Sequence, residues 1–406
     1  MNKESVALEF NILKESITVK KRTEFVDDDN IIFERTKDNY RIYIDDNHKY
    51  ESYKNSLNKL FLWITNKTPE VTIDYAEDVI LDLIIEDSDI DILKLENYFL
   101  KLPIINFTFL RPLYGLSFYN ENIIDKGKYK FISASYIKEY LLGFIPDNPM
   151  KEHWINRFLE NEKRGICYVE THVATREPAK AEELADKNFK QLDNVLRYMM
   201  GDRTSYKKLG VFNYQDESMN FSILKGNNDF LQYNHNNPFR YGYNKLDSYF
   251  FDYKNGNGVI WDLLNKENKT EIQKRVLRGL EWVGMSINEK DVNMAFIQCF
   301  FAIECILQDQ QGFITKSISA QISEYVAFIL GDNLEARIEI ENRFKKLYDV
   351  RSKIAHGNQT DEAKINMDEI IEISKLIIIN LLTKDDLKVI NSISELRNYI
   401  THKRYG

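Results

Sequence analysis

Cysteine is scarce in this 406-residue chain: Cys167, Cys299 and Cys305 are its three cysteines, and no two of them form a C-x-x-C pair. Their spacing and apolar surroundings are typical of reduced structural thiols rather than of a disulfide framework. Long hydrophobic runs are also lacking, since aliphatic stretches such as 376–379 are far too short to span a bilayer. Residues 1–5 lack the charged-then-apolar pattern of a secretory signal. We therefore expect a cytoplasmic protein that does not insert into membranes.

Several familiar catalytic motifs are absent as well. The sequence contains no glycine-rich phosphate-binding loop, no H-E-x-x-H, no Cys/His set with metal-ligand spacing and no G-x-S-x-G. We therefore expect no metal and no other cofactor. The formal net charge is −8, so the surface as a whole does not attract nucleic acid. Any RNA binding must come from a local basic patch.

The N-terminal part of the sequence has the pattern of short strands. Apolar residues make up 43% and charged residues 29% of the chain, which is ordinary for a globular protein with two or three domains. Alternating bursts of aromatic and β-branched residues predict strands at 5–12, 40–44, 104–110, 115–119, 130–135, 165–174, 209–214 and 219–224. Helical patterns interrupt them at 50–63, 150–162 and 179–200. We predict a β-rich mixed domain over residues 1–255.

The pattern changes after the polar stretch 253–258. Apolar residues then recur at helical spacing, first as Ile272, Val276, Leu280, Val283 and Ile287. Further helices are predicted at 292–308, 317–330, 333–356, 367–383 and 384–402. The predicted class is therefore α+β, with a C-terminal all-helical bundle over residues 256–406.

An arginine followed at short spacing by a histidine occurs three times, as Arg41…His48, Arg351…His356 and Arg397…His402. Spacing of this kind arises by chance, so the surroundings must choose among the pairs. The first pair flanks a strand that runs into a turn, where surface charge explains it. The third pair lies at the extreme C-terminus, where a basic fraying tail is the simpler interpretation.

Arg351 and His356 lie at the end of an amphipathic helix, before Gly357, which is a natural helix stop. Two interpretations are open. The histidine could interact with the helix dipole beside an exposed arginine. Alternatively, the pair carries chemistry, because an arginine can hold a phosphate and an imidazole can move a proton near neutral pH. RNA cleavage needs both groups and no metal.

Glu304 stands among apolar residues of the predicted helix 292–308. A buried carboxylate is costly unless it is paired. We expect it either to lie beside Arg351 and His356 and orient one of them, or to face solvent on a two-sided helix.

The segment Tyr348-x-x-Arg351-Ser352-x-Ile354-x-His356-Gly357 resembles the signature of HEPN domains, and specifically of their Apea-like branch. The upstream helices are similar too, with an Arg/Leu-rich run ending in Trp282 and an Ala-x-Glu at 302–304 inside apolar residues. The resemblance covers about residues 260–385.

The resemblance implies a metal-independent endoribonuclease that works as a homodimer through its HEPN domain and leaves 2′,3′-cyclic phosphate and 5′-hydroxyl ends. Arg351 would hold the scissile phosphate, and His356 would act as general base or general acid. Ser352 would bond phosphate or orient His356, Lys353 would add positive charge, and Arg397 with His402 would form a secondary motif.

The resemblance also implies a role in abortive infection, an anti-phage defence in which the enzyme cuts tRNA or other host or phage RNA. The N-terminal domain would then be a sensor or restraint for a phage-derived trigger. Two alternatives stay open. One is a non-catalytic HEPN module that binds RNA or protein, and the other is a purely structural interaction protein.

Overall fold

The structure is a computed structural model. It describes residues 1–24, 31–86, 92–118, 121–145, 147, 149–161, 167–200, 203, 209–211, 220–225, 231–236, 244–309, 317–358 and 361–405. The helices are α1 Lys3–Ser16, α2 Asn47–Thr65, α3 Ile73–Ile85, α4 Ile92–Lys101, α5 Ile137–Phe144, α6 Lys151–Asn161, α7 Pro178–Met200, α8 Ser248–Phe251, α9 Asn257–Asn265, α10 Glu271–Asn288, α11 Val292–Leu307, α12 Ile318–Leu330, α13 Leu334–Ala355, α14 Glu362–Ile365, α15 Met367–Thr383 and α16 Ile393–Tyr405.

The strands are β1 Thr18–Lys21, β2 Phe33–Lys37, β3 Tyr40–Ile44, β4 Ile105–Tyr114, β5 Leu116–Ser117, β6 Ile123–Lys126, β7 Tyr129–Ser133, β8 Cys167–Thr175, β9 Gly210–Val211, β10 Asn220–Lys225, β11 Leu231–Asn236 and β12 Asn244–Lys245. All sheets lie before residue 246 and the remainder is helical, within the described residues. The α+β class with a helical C-terminal region is therefore confirmed. The predicted strand positions 119, 165–166, 212–214 and 219 and the predicted helix position 162 fall outside the described residues.

The chain forms two compact units. Unit 1 comprises Met1–Phe109 with His172–Asp186, and unit 2 comprises Leu110–Thr171 with Lys187–Gly406. The predicted boundary at 255/256 therefore falls inside unit 2. The cause is a shared core, since Trp261 on α9 packs edge-on against Tyr129 and Phe131 of β7, with ring centroids 6.4 and 5.9 Å apart.

The first segment of unit 1 is a helix, and the strand predicted at 5–12 is wrong. Val6, Phe10 and Leu13 are buried at helical spacing along α1. The side chain of Asn2 accepts a hydrogen bond from the Ser5 N–H at 2.8 Å and thereby caps the helix. Two further helices of unit 1, α3 and α4, were not predicted, so this region is less β-rich than expected.

Unit 1 buries the apolar faces of α1, α2, α3 and α4 in one core, beside the antiparallel sheet β1-β3-β2. The buried carboxylate of Glu77 lies beside this core. The Tyr53 hydroxyl donates to it, and Arg35 forms an ion pair with it at 2.7 Å. Burial raises the pKa of Tyr53, and Glu77 adds to the effect.

Unit 2 contains β6, β7 and β9 and parts of β4 and β8, five strands that form one sheet in the order β6-β7-β8-β4-β9. Strand β7 pairs antiparallel with both β6 and β8, which places Phe131 opposite Ile124 on one side and Val169 on the other. Helix α5 was not predicted from the sequence; it buries Ile137 and Leu141 against Ile132 and Tyr168.

A strong N-terminal capping signal marks the start of helix α10 in unit 2. Thr270 and Gln273 form a reciprocal capping box at the start of α10. Helices α10 and α11 pack closely because Gly279 leaves no room for a side chain; a Cβ there would lie 2.6 Å from Cγ1 of Ile306. Helices α10, α11, α12, α13 and α15 confirm the predicted helical segments.

The last predicted helix, 384–402, is wrong in its first half. Residues 385–389 form turns, residues 390–391 are irregular, and α16 begins at Ile393. The carbonyl of Asn391 accepts the N–H of Ile272 at 3.1 Å, so this backbone is used to satisfy the first turn of α10. The Ser392 hydroxyl accepts the N–H of Glu395 at 3.2 Å and caps α16.

Gly284 on α10 offers a test of this packing. A Cβ at Gly284 would overlap the backbone carbonyl of Asn194 and lie 2.6 Å from its carbonyl carbon. We expect Gly284→Ala to lower the free energy of unfolding by about 2 kcal/mol or more, because backbone cannot move aside. Gly143→Ala is the matched control, since its Cβ would meet nothing within 4 Å and it should stabilise α5 by up to about 1 kcal/mol. Urea unfolding of both variants checks the expectation, and equal effects would contradict it.

Candidate active site at the end of helix α13

Helix α13 ends in a well-formed C-cap. Gly357 adopts a left-handed conformation with φ of +87°, and its N–H donates to the carbonyl of Ile354 at 2.9 Å. The N–H of Asn358 donates to the carbonyl of Lys353 at 3.0 Å. These two bonds form a Schellman motif, so the predicted helix stop at Gly357 is confirmed. The backbone of His356 is thereby fixed at the last residue before the chain turns away.

Glycine is favoured at position 357 because of its backbone conformation, and not because neighbouring atoms leave no room for a side chain. A Cβ there would meet nothing within 4 Å, so a substitution pays only for the left-handed conformation. We expect Gly357→Ala to lower the free energy of unfolding by about 1 kcal/mol. Gly357→Asn should cost less, since Asn tolerates this conformation. Thermal unfolding measures both, and an alanine variant as stable as the wild type would refute the expectation.

Arg351 is held by Glu304 from helix α11. Its Nη2 lies 3.2 Å from Oε1 and 3.3 Å from Oε2 of Glu304. The hydroxyl of Tyr348 donates to Oε1 of the same carboxylate at 3.0 Å, and the guanidinium lies 5.6 Å from the centre of the Tyr348 ring. Arg351 and Glu304 are only 22% and 16% exposed, so solvent screens their attraction incompletely. The structure therefore brings Glu304 to Arg351.

Aromatic packing explains why these side chains meet. Phe300 of α11 packs against Phe344 and Tyr348 of α13, with ring centroids 5.6 and 5.5 Å apart. Glu304 lies one helical turn beyond Phe300, and Tyr348 lies one turn beyond Phe344. The buried aromatic contact thus fixes the register of the two helices, and the polar contacts follow one turn later.

Tyr348 is the site residue whose role sequence reasoning missed. Burial raises the pKa of its hydroxyl, and the negative charge of Glu304 adds to this while Arg351 opposes it. The hydroxyl therefore remains a donor to Glu304 at neutral pH. Its position three residues before Arg351 was a usable signal, because residues three apart share a helix face.

The guanidinium of Arg351 retains unused hydrogen-bonding capacity. Its Nε is buried and donates to no acceptor in the part of the chain that the structure describes. An unsatisfied buried donor costs on the order of 1–3 kcal/mol. Glu304 therefore orients Arg351 without satisfying the whole donor fork.

His356 differs from Arg351 in both the exposure and the contacts of its side chain. Its side chain is exposed, and it makes no hydrogen bond or ion pair with any residue described in the structure. Five residues of α-helix separate the two positions by about 140° around the axis. Within one chain, Arg351 and His356 therefore do not form a joined pair, and the imidazole is open to solvent.

The supporting residues are more loosely placed. Ser352 is half-buried, and its carbonyl accepts the N–H of His356 at 3.1 Å. Lys353 is exposed and pairs with Glu362 at 3.0 Å, which reduces the positive charge it offers. Solvent-exposed pairs of this kind contribute little to stability.

The tail motif lies on a packed helix, so the fraying-tail interpretation is wrong. Helix α16 buries Ile393, Leu396 and Ile400. Arg397 forms an ion pair with the buried carboxylate of Asp309 at 2.9 Å, and His402 is exposed. Arg397 is thus used to compensate a buried charge, as a buried carboxylate requires.

The described residues contain neither a cluster of metal-ligating side chains nor a candidate membrane-spanning helix. No three His, Cys, Asp or Glu side chains converge there as a metal ion would need. No helix in the described ranges is both long and apolar enough to cross a membrane.

Comparisons with protein-family models, with curated proteins and with solved structures gave no match to this chain. The resemblance to Apea-like HEPN domains therefore rests on the residues between 275 and 357 alone, and it remains a prediction.

Proposed function

We propose that this protein is a metal-independent endoribonuclease in which Arg351 and His356 carry the chemistry. The observation that supports it best is the contrast between the two side chains. Arg351 is held in place by Glu304 and Tyr348, while His356 is exposed and unengaged within the described residues. A fixed cation and a free proton carrier are what transesterification at phosphorus requires.

In the proposed reaction, His356 removes the proton from a ribose 2′-hydroxyl, and that oxygen attacks the adjacent phosphorus. The bond from phosphorus to the 5′-oxygen breaks, and the 5′-oxygen takes up a proton. The products are a 2′,3′-cyclic phosphate and a 5′-hydroxyl. Arg351 stabilises the charge that develops on the non-bridging oxygens. Ser352 and Lys353 support it by bonding or attracting the phosphate.

The proposed site is composite. Because Arg351 and His356 of one chain do not converge, a second copy of α13 must bring its own pair to complete the site. We therefore propose a homodimer through the C-terminal helices. The substrate is proposed to be tRNA or another host or phage RNA, in an anti-phage defence triggered through the N-terminal residues.

A non-catalytic RNA-binding or protein-binding module is the second candidate. The ion pair between Arg351 and Glu304 favours it, because a cation already paired within the chain can serve stability alone.

Expression in growing cells separates the two candidates. An active ribonuclease should arrest growth and degrade RNA, and His356→Ala should relieve the arrest at equal protein level. Equal growth of cells expressing wild type and variant, with intact RNA in both, would favour the non-catalytic module.

A further inference from the structure

Glu304, the carboxylate that orients Arg351, lies in the last turn of α11, which ends at Leu307. Helix ends fray because their last carbonyl groups have no partner within the helix. A carboxylate in the last turn is also repelled by the negative end of the helix dipole. Glu304 therefore stands where a helix holds its side chains least firmly, and its position depends on contacts from outside α11.

Arg275 of α10 supplies such a contact. Its Nη1 donates to the carbonyl of Gln308 at 2.9 Å and to the carbonyl of Cys305 at 3.3 Å. The N–H of Gln308 in turn donates to the carbonyl of Glu304 at 2.8 Å. Two hydrogen bonds thus connect the guanidinium of Arg275, through Gln308, to the backbone of Glu304. The positive charge of Arg275 also lies at the helix end where the dipole favours a cation.

We call the contacts of Arg275 with Cys305 and Gln308 the α11 clamp. Cys305 returns the contact, since its thiol donates to the carbonyl of Arg275 at 3.6 Å. Nε of Arg275 lies 2.9 Å from Oε1 of Glu271, one turn earlier on α10. Gly279, one turn later, lets the two helices approach, because a Cβ there would lie only 3.2 Å from the carbonyl oxygen of residue 302. The α11 clamp therefore fixes the last turn of α11 onto the first half of α10.

We infer that Arg275 is a positioning residue for the site at the end of α13. By fixing the last turn of α11, it makes Glu304 hold the guanidinium of Arg351 in one orientation. Phe300 packs against α13 one turn before Glu304, so loss of Arg275 loosens Glu304 without separating the two helices. The effect on cleavage rests on the proposed ribonuclease function, whereas the α11 clamp rests on its contacts alone.

Hydrogen exchange of the full-length protein tests the α11 clamp without an activity assay. In Arg275→Ala, the amides of residues 304–308 should exchange at least about 10-fold faster than in the wild type, because the last turn opens more often. Residues 344–356 should keep their wild-type protection. Arg278→Ala is the matched control and should exchange like the wild type, since Arg278 pairs with Glu281 on its own helix at 2.9 Å. Unchanged exchange at 304–308 in Arg275→Ala, or equal acceleration in both regions, would contradict the inference.

Cleavage rates test whether Arg275 acts through Glu304. Arg275→Ala should lower kcat by up to about 10-fold with KM nearly unchanged, because the guanidinium of Arg351 remains and only its orientation loosens. Arg275→Lys should recover part of the rate, since an ammonium still donates to a carbonyl without the planar fork. Arg275→Ala combined with Glu304→Gln should be no slower than Glu304→Gln alone, because both changes remove the same orientation.

A merely structural role gives a different result. Losses of kcat that multiply in the double variant, or a wild-type rate in Arg275→Ala, would overturn the inference. Intact RNA with the wild type would instead remove the proposed ribonuclease function, and the exchange experiment would still decide whether Arg275 holds Glu304.

Discussion

His356→Ala is expected to lower the rate of RNA cleavage by at least about 100-fold, because a positioned general acid or base typically contributes that much or more. The same substitution should change the free energy of unfolding by less than about 0.5 kcal/mol, since exposed side chains without partners contribute little. His356 is such a side chain within the described residues. Initial cleavage rates and urea unfolding measured on one preparation separate the two effects.

The chain supplies its own control for this experiment. His402 is exposed and follows Arg397 at the same spacing by which His356 follows Arg351. Because Arg397 is used to compensate Asp309, we expect His402→Ala to cleave RNA at the wild-type rate. If His356→Ala retained full activity, or if both variants lost it equally, the assignment of His356 would be wrong.

Arg351→Ala is expected to lower the cleavage rate by about 100-fold to 1000-fold, the usual cost of removing a donor that stabilises developing charge. It should also reduce stability by about 1–2 kcal/mol, since Glu304 would lose its counter-charge in a half-buried position. The Tyr348 hydroxyl still donates to Glu304, which limits the loss. Arg351→Lys should restore stability better than activity, because lysine keeps the charge without the planar fork.

Glu304→Gln is the matched variant for Arg351→Ala. It removes the charge of the partner while keeping its shape and an acceptor for Tyr348. We expect stability to fall by about as much as in Arg351→Ala, but cleavage to fall only about 10-fold, because the guanidinium remains and only its orientation loosens. A double-mutant cycle on stability isolates the coupling between the two residues. Wild-type cleavage by Arg351→Ala would contradict the proposed role.

The sequence predicted well where one period of apolar residues dominates. Helices α10, α11, α13 and α15 follow the helical pattern, and the stop at Gly357 follows from the left-handed cap that glycine allows. The strand prediction at 5–12 was wrong because Val6, Leu8, Phe10 and Ile12 alternate as in a strand. The segment is a helix because this conformation buries Val6, Phe10 and Leu13 on one face, and the capping residue Asn2 was the local signal for it.

The start of α16 could also have been predicted. Ser392 and Glu395 stand at the spacing of a capping box, and this local signal was the better guide than the apolar residues Leu387 and Ile390, which are buried in turns. The division of the chain into two units could not have been predicted from the sequence, since it depends on Trp261 packing against a strand more than a hundred residues earlier.

The residues of the candidate site were predicted from the sequence, but their contacts with one another were not. An ion pair for Glu304 follows from the cost of a buried carboxylate. That Tyr348 shares the carboxylate, and that His356 stays apart from Arg351, depends on the register set by Phe300 and Phe344, which no local pattern contains.

The central claim is metal-free RNA cleavage, and end-group analysis tests it most directly. Purified wild-type protein is incubated with tRNA and with total RNA in EDTA, beside Arg351→Ala, and the new ends are identified chemically. The proposal predicts cleavage by the wild type alone, with 2′,3′-cyclic phosphate and 5′-hydroxyl ends. Intact RNA with the wild type, or cleavage that requires an added metal ion, would contradict it.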